Sequence, residues 1–541
     1  MKKVKLKIPK KLGKGIPLKT APNHTVRLEL TDEALTVHTG LSLFYAMAEA
    51  LKVPQILNEQ VRVKKRESGY PESEHILALA ANAFVGGDYL EDLEALREDG
   101  AIQRAIGRRD LPDPTTAGDF CRRFTLGHLL QLNRAYGEIE RRVYERRPEV
   151  RHWTVDVDAR VHEVYGEKKQ GAARSYNGIY SLQPMYGFVH ETDELIHCEL
   201  RSGNTHPGAG GRGFLRRLKR KIPPTVKRVH LRSDSAFYDK EVVEFCEQEG
   251  WSFTITADQT GPLMRQIEAL PESAWQRDSE EESLSYGELW YQPLRWPRAY
   301  RYLVRRERKE AKGGQGTLFG VLSYSYYVVV TNREEEVKTL LELHDEKGMT
   351  ERRIAQFSRE FLSHLPMGNF IANWVYLLCV QLSYNLSLWI RDLVLPPFYR
   401  KKHIKRIRRT IGLIASKVTH GGHQVRLKIP VLHRWWRDFV YGWQRILPFR
   451  GRLELDREVG FSLRIVGVNR GSCNSVRTVS SLRSNLPSPL LLDNFRAMKI
   501  PAKCLFEPVF TVKAEPIIHF GSINFYSFYL YRLIKVISFS S

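Results

Sequence analysis

The chain has 541 residues, 42% hydrophobic and 27% charged, with 84 Lys and Arg against 61 Asp and Glu, a formal net charge of +23. That length exceeds what one hydrophobic core supports, and so even a mix of apolar and charged residues excludes wholesale disorder. The charge calls for a polyanionic partner, nucleic acid first, with an anionic membrane surface as the alternative.

Residues 1–20 carry a lysine run with Pro and Gly and read as a basic arm or a solvated tail. No apolar stretch follows it, so a secretory signal is not expected. Residues 21–150 read as a mainly helical domain, with an amphipathic helix at 41–60 and several more over 72–135, punctuated by Gly86-Gly87 and Pro112-Asp113-Pro114. At Arg151 the pattern changes. Strands are expected at 152–160, 184–190 and 194–201, then a basic helix at 213–221, a strand at 227–233, a helix at 239–249 and a strand at 251–256. Three strands followed by alternating helix and strand predict a mixed sheet with helices on its faces across 151–258.

Residues 259–333 interrupt that alternation with a β-rich insertion, in which the run 322–330 is plainly strand-like. The helical pattern resumes over 334–450, with helices at 350–365 and 369–394 and a basic segment at 400–409. The apolar stretch 370–395 is interrupted by Asn373, Gln381, Asn385 and Arg391, so it reads as a buried core helix rather than a membrane span. Residues 451–541 lose acids and periodicity and do not read as a folded domain. Six cysteines, at 121, 198, 246, 379, 473 and 504, include no CxxC pair. That argues against a disulfide framework or a zinc site and fits a reducing compartment.

The strand around Asp156 and Asp158 carries the chemistry. A period of two puts Val155, Val157 and Ala159 on one face and both acids on the other. Two carboxylates one pleat apart repel, and a divalent cation or a proton between them relieves this. The same alternation also fits an ordinary half-solvated edge. Asp234 falls just past the end of the fourth strand, where open α/β sheets bind their ligands. Glu351 starts the helix after the insertion, with Thr350 before it as an N-cap. Carboxylates without Cys or His partners suit Mg²⁺ or Mn²⁺, and a pair of such ions serves phosphodiester chemistry. Taken singly, Asp234 could cap a turn and Glu351 could complement a helix N-terminus.

The ordered words Asp156-Val-Asp-Ala159, Ser175-Tyr-Asn-Gly178, Arg201-Ser-Gly-Asn204 with His206, and Leu231-Arg-Ser-Asp-Ser-Ala-Phe237 resemble the DDE-type transposases of bacterial insertion sequences. Specifically, they resemble the insertion-sequence 1380 family, group 1 of the DDE transposases. Gly86–Leu93, Leu111–Thr116, Glu351–Ile354, Phe370–Asn373 and Tyr384–Leu386 extend it to roughly residues 40–430.

The resemblance implies an α/β, RNase H-like mixed sheet with flanking helices, interrupted by the β-rich insertion, behind a helical N-terminal DNA-binding domain. It implies two Mg²⁺ ions, replaceable by Mn²⁺, held by Asp158, Asp234 and Glu351, with Asp156 in support. The expected reaction is cleavage at terminal inverted repeats and attack of the freed 3′-hydroxyl on target DNA, by a homodimer at the bacterial nucleoid. Around the third acid the family usually has Tyr, Arg and Lys where this chain has His344, Lys347 and Ser358, and Arg359 stands beside the last. A transposase relic that only binds DNA, and an RNase H-like nuclease without strand transfer, remain alternatives. Lys401, Lys402, Lys405, Arg406, Arg408 and Arg409 read as contacts to the DNA backbone. Trp435-Trp436, flanked by Arg434 and Arg437, reads as a core-facing pair or as base stackers.

Overall fold

The computed structural model describes residues 16–446 except 22, 23, 29, 65–68, 109, 167, 176, 310–322 and 423. The start of the basic arm, Tyr176 and the tail 451–541 therefore lie outside the described residues. The chain opens with the antiparallel hairpin β1 (Ile16–Ala21) and β2 (His24–Leu28), then β3 (Leu35–Thr36). Helices follow: α1 (Gly40–Ala50), α2 (Val53–Gln60), α3 (Glu72–Val85), α4 (Leu93–Glu98), α5 (Gly100–Ala105), α6 (Pro114–Arg122) and α7 (Leu126–Tyr144). The single helix expected over 41–60 is two. Lys52 takes a left-handed φ of 58° between them, and Pro54 sits in the first turn of α2, where no amide donor is needed. The buried run Leu51, Val53, Ile56 and Leu57 crosses this break, which is why apolar spacing did not reveal it.

Next come β4 (His152–Ala159), the short β5 (His162–Glu163), β6 (Ala173–Arg174) and β7 (Tyr180–Leu182), then β8 (Met185–Val189) and β9 (Leu195–Glu199). Helix α8 (Gly211–Lys219), β10 (Arg228–Ser233), α9 (Lys240–Gln248) and β11 (Ser252–Thr256) complete the alternation. β4 lies centrally, parallel to β10 and antiparallel to β8, and β10 is parallel to β11. After α10 (Gly261–Glu268), the insertion supplies β12 (Gln276–Arg277), β13 (Leu284–Tyr291), β14 (Tyr300–Lys309) and β15 (Ser323–Thr331). These strands extend the main sheet, since β15 pairs antiparallel with β11. The nine-stranded order is β12-β13-β14-β15-β11-β10-β4-β8-β9.

The chain then forms α11 (Val337–Asp345), α12 (Gly348–Glu360), α13 (Phe370–Trp389), α14 (Ile404–Ile407), β16 (Ser416–Gly421), β17 (Gln424–Lys428) and α15 (Trp436–Ile446). Helix α13 is buried on almost every face, packed between β9 and the N-terminal helices α1, α3, α6 and α7. Two of its polar interruptions serve the sheet edge. Asn385 exchanges hydrogen bonds with the Leu195 amide and carbonyl at 3.1 and 2.9 Å, and Gln381 Nε2 donates to the same carbonyl at 2.6 Å. Amides on a helix thus satisfy backbone groups that an edge strand would leave open. No helix among the described residues is long and apolar enough to cross a membrane. One hydrophobic cluster runs from the N-terminal helices into the sheet.

The basic segment divides. Ile404 and Ile407 are buried, while Lys401, Lys402, Lys405, Arg406 and Arg409 are exposed. Arg408 turns inward. Its guanidinium donates to the carbonyls of Phe84 at 2.6 Å, Ala83 at 2.9 Å and Glu360 at 2.8 Å, at the ends of α3 and α12. Carbonyls in a helix's last turn lack the regular donor four residues on, and that of Ala83 also accepts from the Gly86 amide at 3.2 Å. Arg408→Ala is expected to cost about 3 kcal/mol, because hydrogen bonds to charged groups are the strong ones. Lys402→Ala should stay within about 0.5 kcal/mol, the usual range for a surface site. Urea unfolding of the two variants checks this, and equal midpoints would remove the capping role.

Candidate functional site

The sheet register brings the first two acids together. In the parallel pair, Asp156 stands opposite Arg232 and Val157 opposite Ser233. Asp158 and Asp234 therefore both emerge where β4 and β10 end, Asp234 opening the turn Ser235–Phe237. Helix α12 covers that face. Its Phe357 ring meets Tyr186 edge-on at 5.7 Å, and Tyr186 is the cross-strand partner of Asp158. The first turn of α12 carries Glu351, whose side chain is exposed. The sheet end and the helix start thus bring the three sequence-predicted acids to one end of the fold.

Burial pushes the Asp158 carboxyl up to about 6, against the pull of the Lys347 ammonium, and the charges of Asp234 and Glu351 add to the rise. Lys347 Nζ lies 3.6 Å from Asp158 Oδ2. Asp158 Oδ1 accepts from the Ala159 amide at 2.7 Å. Asp234 Oδ1 is buried without a hydrogen-bond partner among the described residues. An orphaned carboxylate oxygen beside a carboxyl held up by burial and by neighbouring carboxylates fits a hard divalent cation. Among the described residues, no three His, Cys, Asp or Glu side chains converge closely enough to hold one ion. The cation beside Asp158 in this structure is the Lys347 ammonium.

The supporting residues behave unequally. His344 is buried, its Nε2 3.0 Å from Thr256 Oγ1 at the end of β11. Burial lowers its pKa to about 3, which keeps it neutral. Ser358 is buried against the sheet, and Arg359 is exposed further along α12. His206 is exposed in a turn, with its ring nitrogen 3.3 Å from the Gly208 amide. Trp435 is half-buried with the guanidinium groups of Arg406 and Arg434 over its ring, at 5.2 and 4.9 Å.

Asp156 is fully buried. Burial alone would raise its pKa, but the His190 ring and the Arg232 guanidinium outweigh it and hold the carboxyl down at about 2. Arg232, Thr350, Arg353 and His190 surround it, and of these five only Asp156 was expected from sequence to support the site. The signal was present, since Arg232 stands inside an apolar strand two residues before Asp234, on the same face. Thr350 is not the N-cap expected of it. Lys347 occupies that position, and the Thr350 hydroxyl donates to Asp156 instead.

A family model described as transposase DDE domain, group 1, matches residues 18–449. Among solved structures, the chain is similar to the cryo-EM structure of the piggyBac transposase synaptic complex with hairpin DNA. The identity is 11% and the TM-score 0.36, over 70% of this chain and 80% of that one. No curated protein matches.

Proposed function

The chain belongs to the transposase DDE domain group 1 family, and from that premise we propose a transposase of the insertion-sequence 1380 type that cuts DNA at its element's ends and joins them to a target. The observation carrying this reading is the meeting of Asp158 and Asp234 at the ends of adjacent parallel strands, with Glu351 near enough to raise the Asp158 pKa. Strand order β9-β8-β4-β10-β11, or 3-2-1-4-5 by chain position, supports an RNase H-like core. The strands β12–β15 then take the place of the family's β-rich insertion.

Asp158, Asp234 and Glu351 would hold divalent cations, Mg²⁺ or Mn²⁺. Bound there, the cations supply Lewis-acid polarisation of the phosphate and of the attacking oxygen. Lys347 would meet a phosphate oxygen as a point charge, without the bidentate fork of an arginine. The exposed Lys401, Lys402, Lys405, Arg406 and Arg409 would follow the DNA backbone, whereas the donors of Arg408 are committed to helix carbonyls. The helices of residues 40–144 would add DNA contacts, in a homodimer that pairs two ends.

The test uses the full chain, Mg²⁺ and linear DNA carrying the sequences that flank the gene. Cleavage at the ends followed by joining to a second DNA is the expected result. Cleavage without joining would replace the transposase reading with a nuclease. Specific binding without cleavage would leave a relic that recognises DNA.

A further inference from the structure

The buried Asp156 carboxylate on β4 has more partners than a structural ion pair needs, and they come from both of the other elements that carry an acid of the site. Arg232 on β10 donates to it through Nε at 2.6 Å and Nη2 at 3.0 Å. Thr350 and Arg353, both on α12, reach Asp156 Oδ2, the latter at 3.4 Å. Asp156 stands two residues before Asp158, Arg232 two before Asp234, and Thr350 immediately before Glu351. We propose that Asp156 is the positioning residue of the site, the point at which the strands and helix bearing Asp158, Asp234 and Glu351 are pinned into one frame. The proposal rests on the assignment of those three acids.

The body of α12 is fixed elsewhere. Phe357 sits among Tyr186, Phe188 and Tyr384 at ring distances of 5.7, 6.5 and 5.4 Å. Those contacts lie nearly two turns beyond Glu351 and are non-directional, so they leave the first turn free to shift or rotate. The hydroxyl of Thr350 and the guanidinium of Arg353 supply the missing directional restraint. Arg353 is itself held from outside, donating to Asp193 Oδ1 at 2.6 Å and to the His190 carbonyl at 2.9 Å. Arg232 also donates to the Leu343 carbonyl at the end of α11. A ligand set must be held to about 0.5 Å to work, and it is the supporting shell that does this.

A buried ion pair kept for stability alone would not require a third, uncharged partner, and hydrophobic replacements of such pairs often hold a fold equally well. Thr350 separates the two roles. Thr350→Val removes one hydroxyl, keeps the shape and leaves Asp156 with both arginines. The expected result is a folded protein with wild-type DNA affinity whose Mn²⁺ affinity, read by electron paramagnetic resonance, and end-cleavage rate both fall about ten- to a hundredfold. Thr350→Ser should restore both.

Asp156→Asn is a second arm, and if it fails to fold the Val and Ser variants carry the test. Folded Thr350→Val with unchanged Mn²⁺ affinity and cleavage would overturn the proposal. Asp158→Asn run in parallel keeps the two readings distinguishable. If it also leaves both quantities unchanged, the acid assignment itself is wrong. If it abolishes them while Thr350→Val does not, only the positioning role falls.

Discussion

Asp158→Asn should give a protein that binds end-bearing DNA, melts at a higher temperature than wild type without divalent cations, and cuts at least about a thousandfold more slowly. The loss of rate follows from the role of the carboxylate, because an amide oxygen is a neutral and much weaker ligand for a hard cation. The gain in stability follows from linkage. A carboxyl raised from 3.8 to about 6 contributes to stability in full below 3.8, and that contribution is lost as pH rises through about 6. Above neutrality the folded state therefore carries a desolvated charge worth about 3 kcal/mol against it. The neutral amide removes that charge, and the broken pair with Lys347 offsets part of the gain. Asp234→Asn should also abolish cleavage. Thermal melts with and without Mn²⁺, beside single-turnover cleavage, measure both effects. A variant that lost stability and kept its cleavage rate would show Asp158 to be a structural acid.

The strand carrying Asp156 and Asp158 was legible because strand periodicity is short and an acid inside an apolar run cannot be hidden. The positions of β8, β9, β10 and β11 followed for the same reason, each to within a residue or two. Sequence did not show that the two acids on one face divide into opposite electrostatic states. Asp156 is held charged by His190 and Arg232, whereas Asp158 is pushed towards its neutral form. That division depends on Arg232, 76 residues away in the chain, and no local pattern encodes such a contact. Arg408 shows the converse. Within the basic run it looks like its neighbours, and only the nearby ends of α3 and α12 turn it into a cap. The insertion was readable as β-rich, but its joining to the main sheet through β11 and β15 depends on pairing across the chain.

Acidification should unfold the protein cooperatively between about pH 6 and 4, and the buried histidines decide this direction. Burial lowers the pKa of His75, His162 and His197 to about 4, and of His230 and His344 to about 3. Each of these groups refuses in the folded state a proton that the unfolded chain accepts at about 6.5. Its contribution is complete above that value and is lost as pH falls towards the folded value. At pH 5 the loss is about 2 kcal/mol per histidine, so five together approach the whole stability of a typical domain. Protonating Asp158 and the buried Glu140, whose carboxyls burial pushes up to about 6 and about 8, acts the other way, but between pH 7.5 and 5 the two together recover about 5 kcal/mol, roughly half of what the histidines lose.

His75 gives the sharpest test of this balance. Its ring stacks on Phe120 at a centroid distance of 4.3 Å, and its Nδ1 is buried without a partner among the described residues. His75→Phe should keep the stacking, remove the titration and move the acid midpoint to lower pH. Circular dichroism and tryptophan fluorescence followed from pH 7.5 to 4 read the shift. An unmoved midpoint would transfer acid sensitivity to the carboxylates, and rising stability on acidification would mean that Asp158 and Glu140 prevail. The histidines and the site then impose the same working range, because the fold requires its buried imidazoles neutral and a divalent cation requires Asp158 ionised.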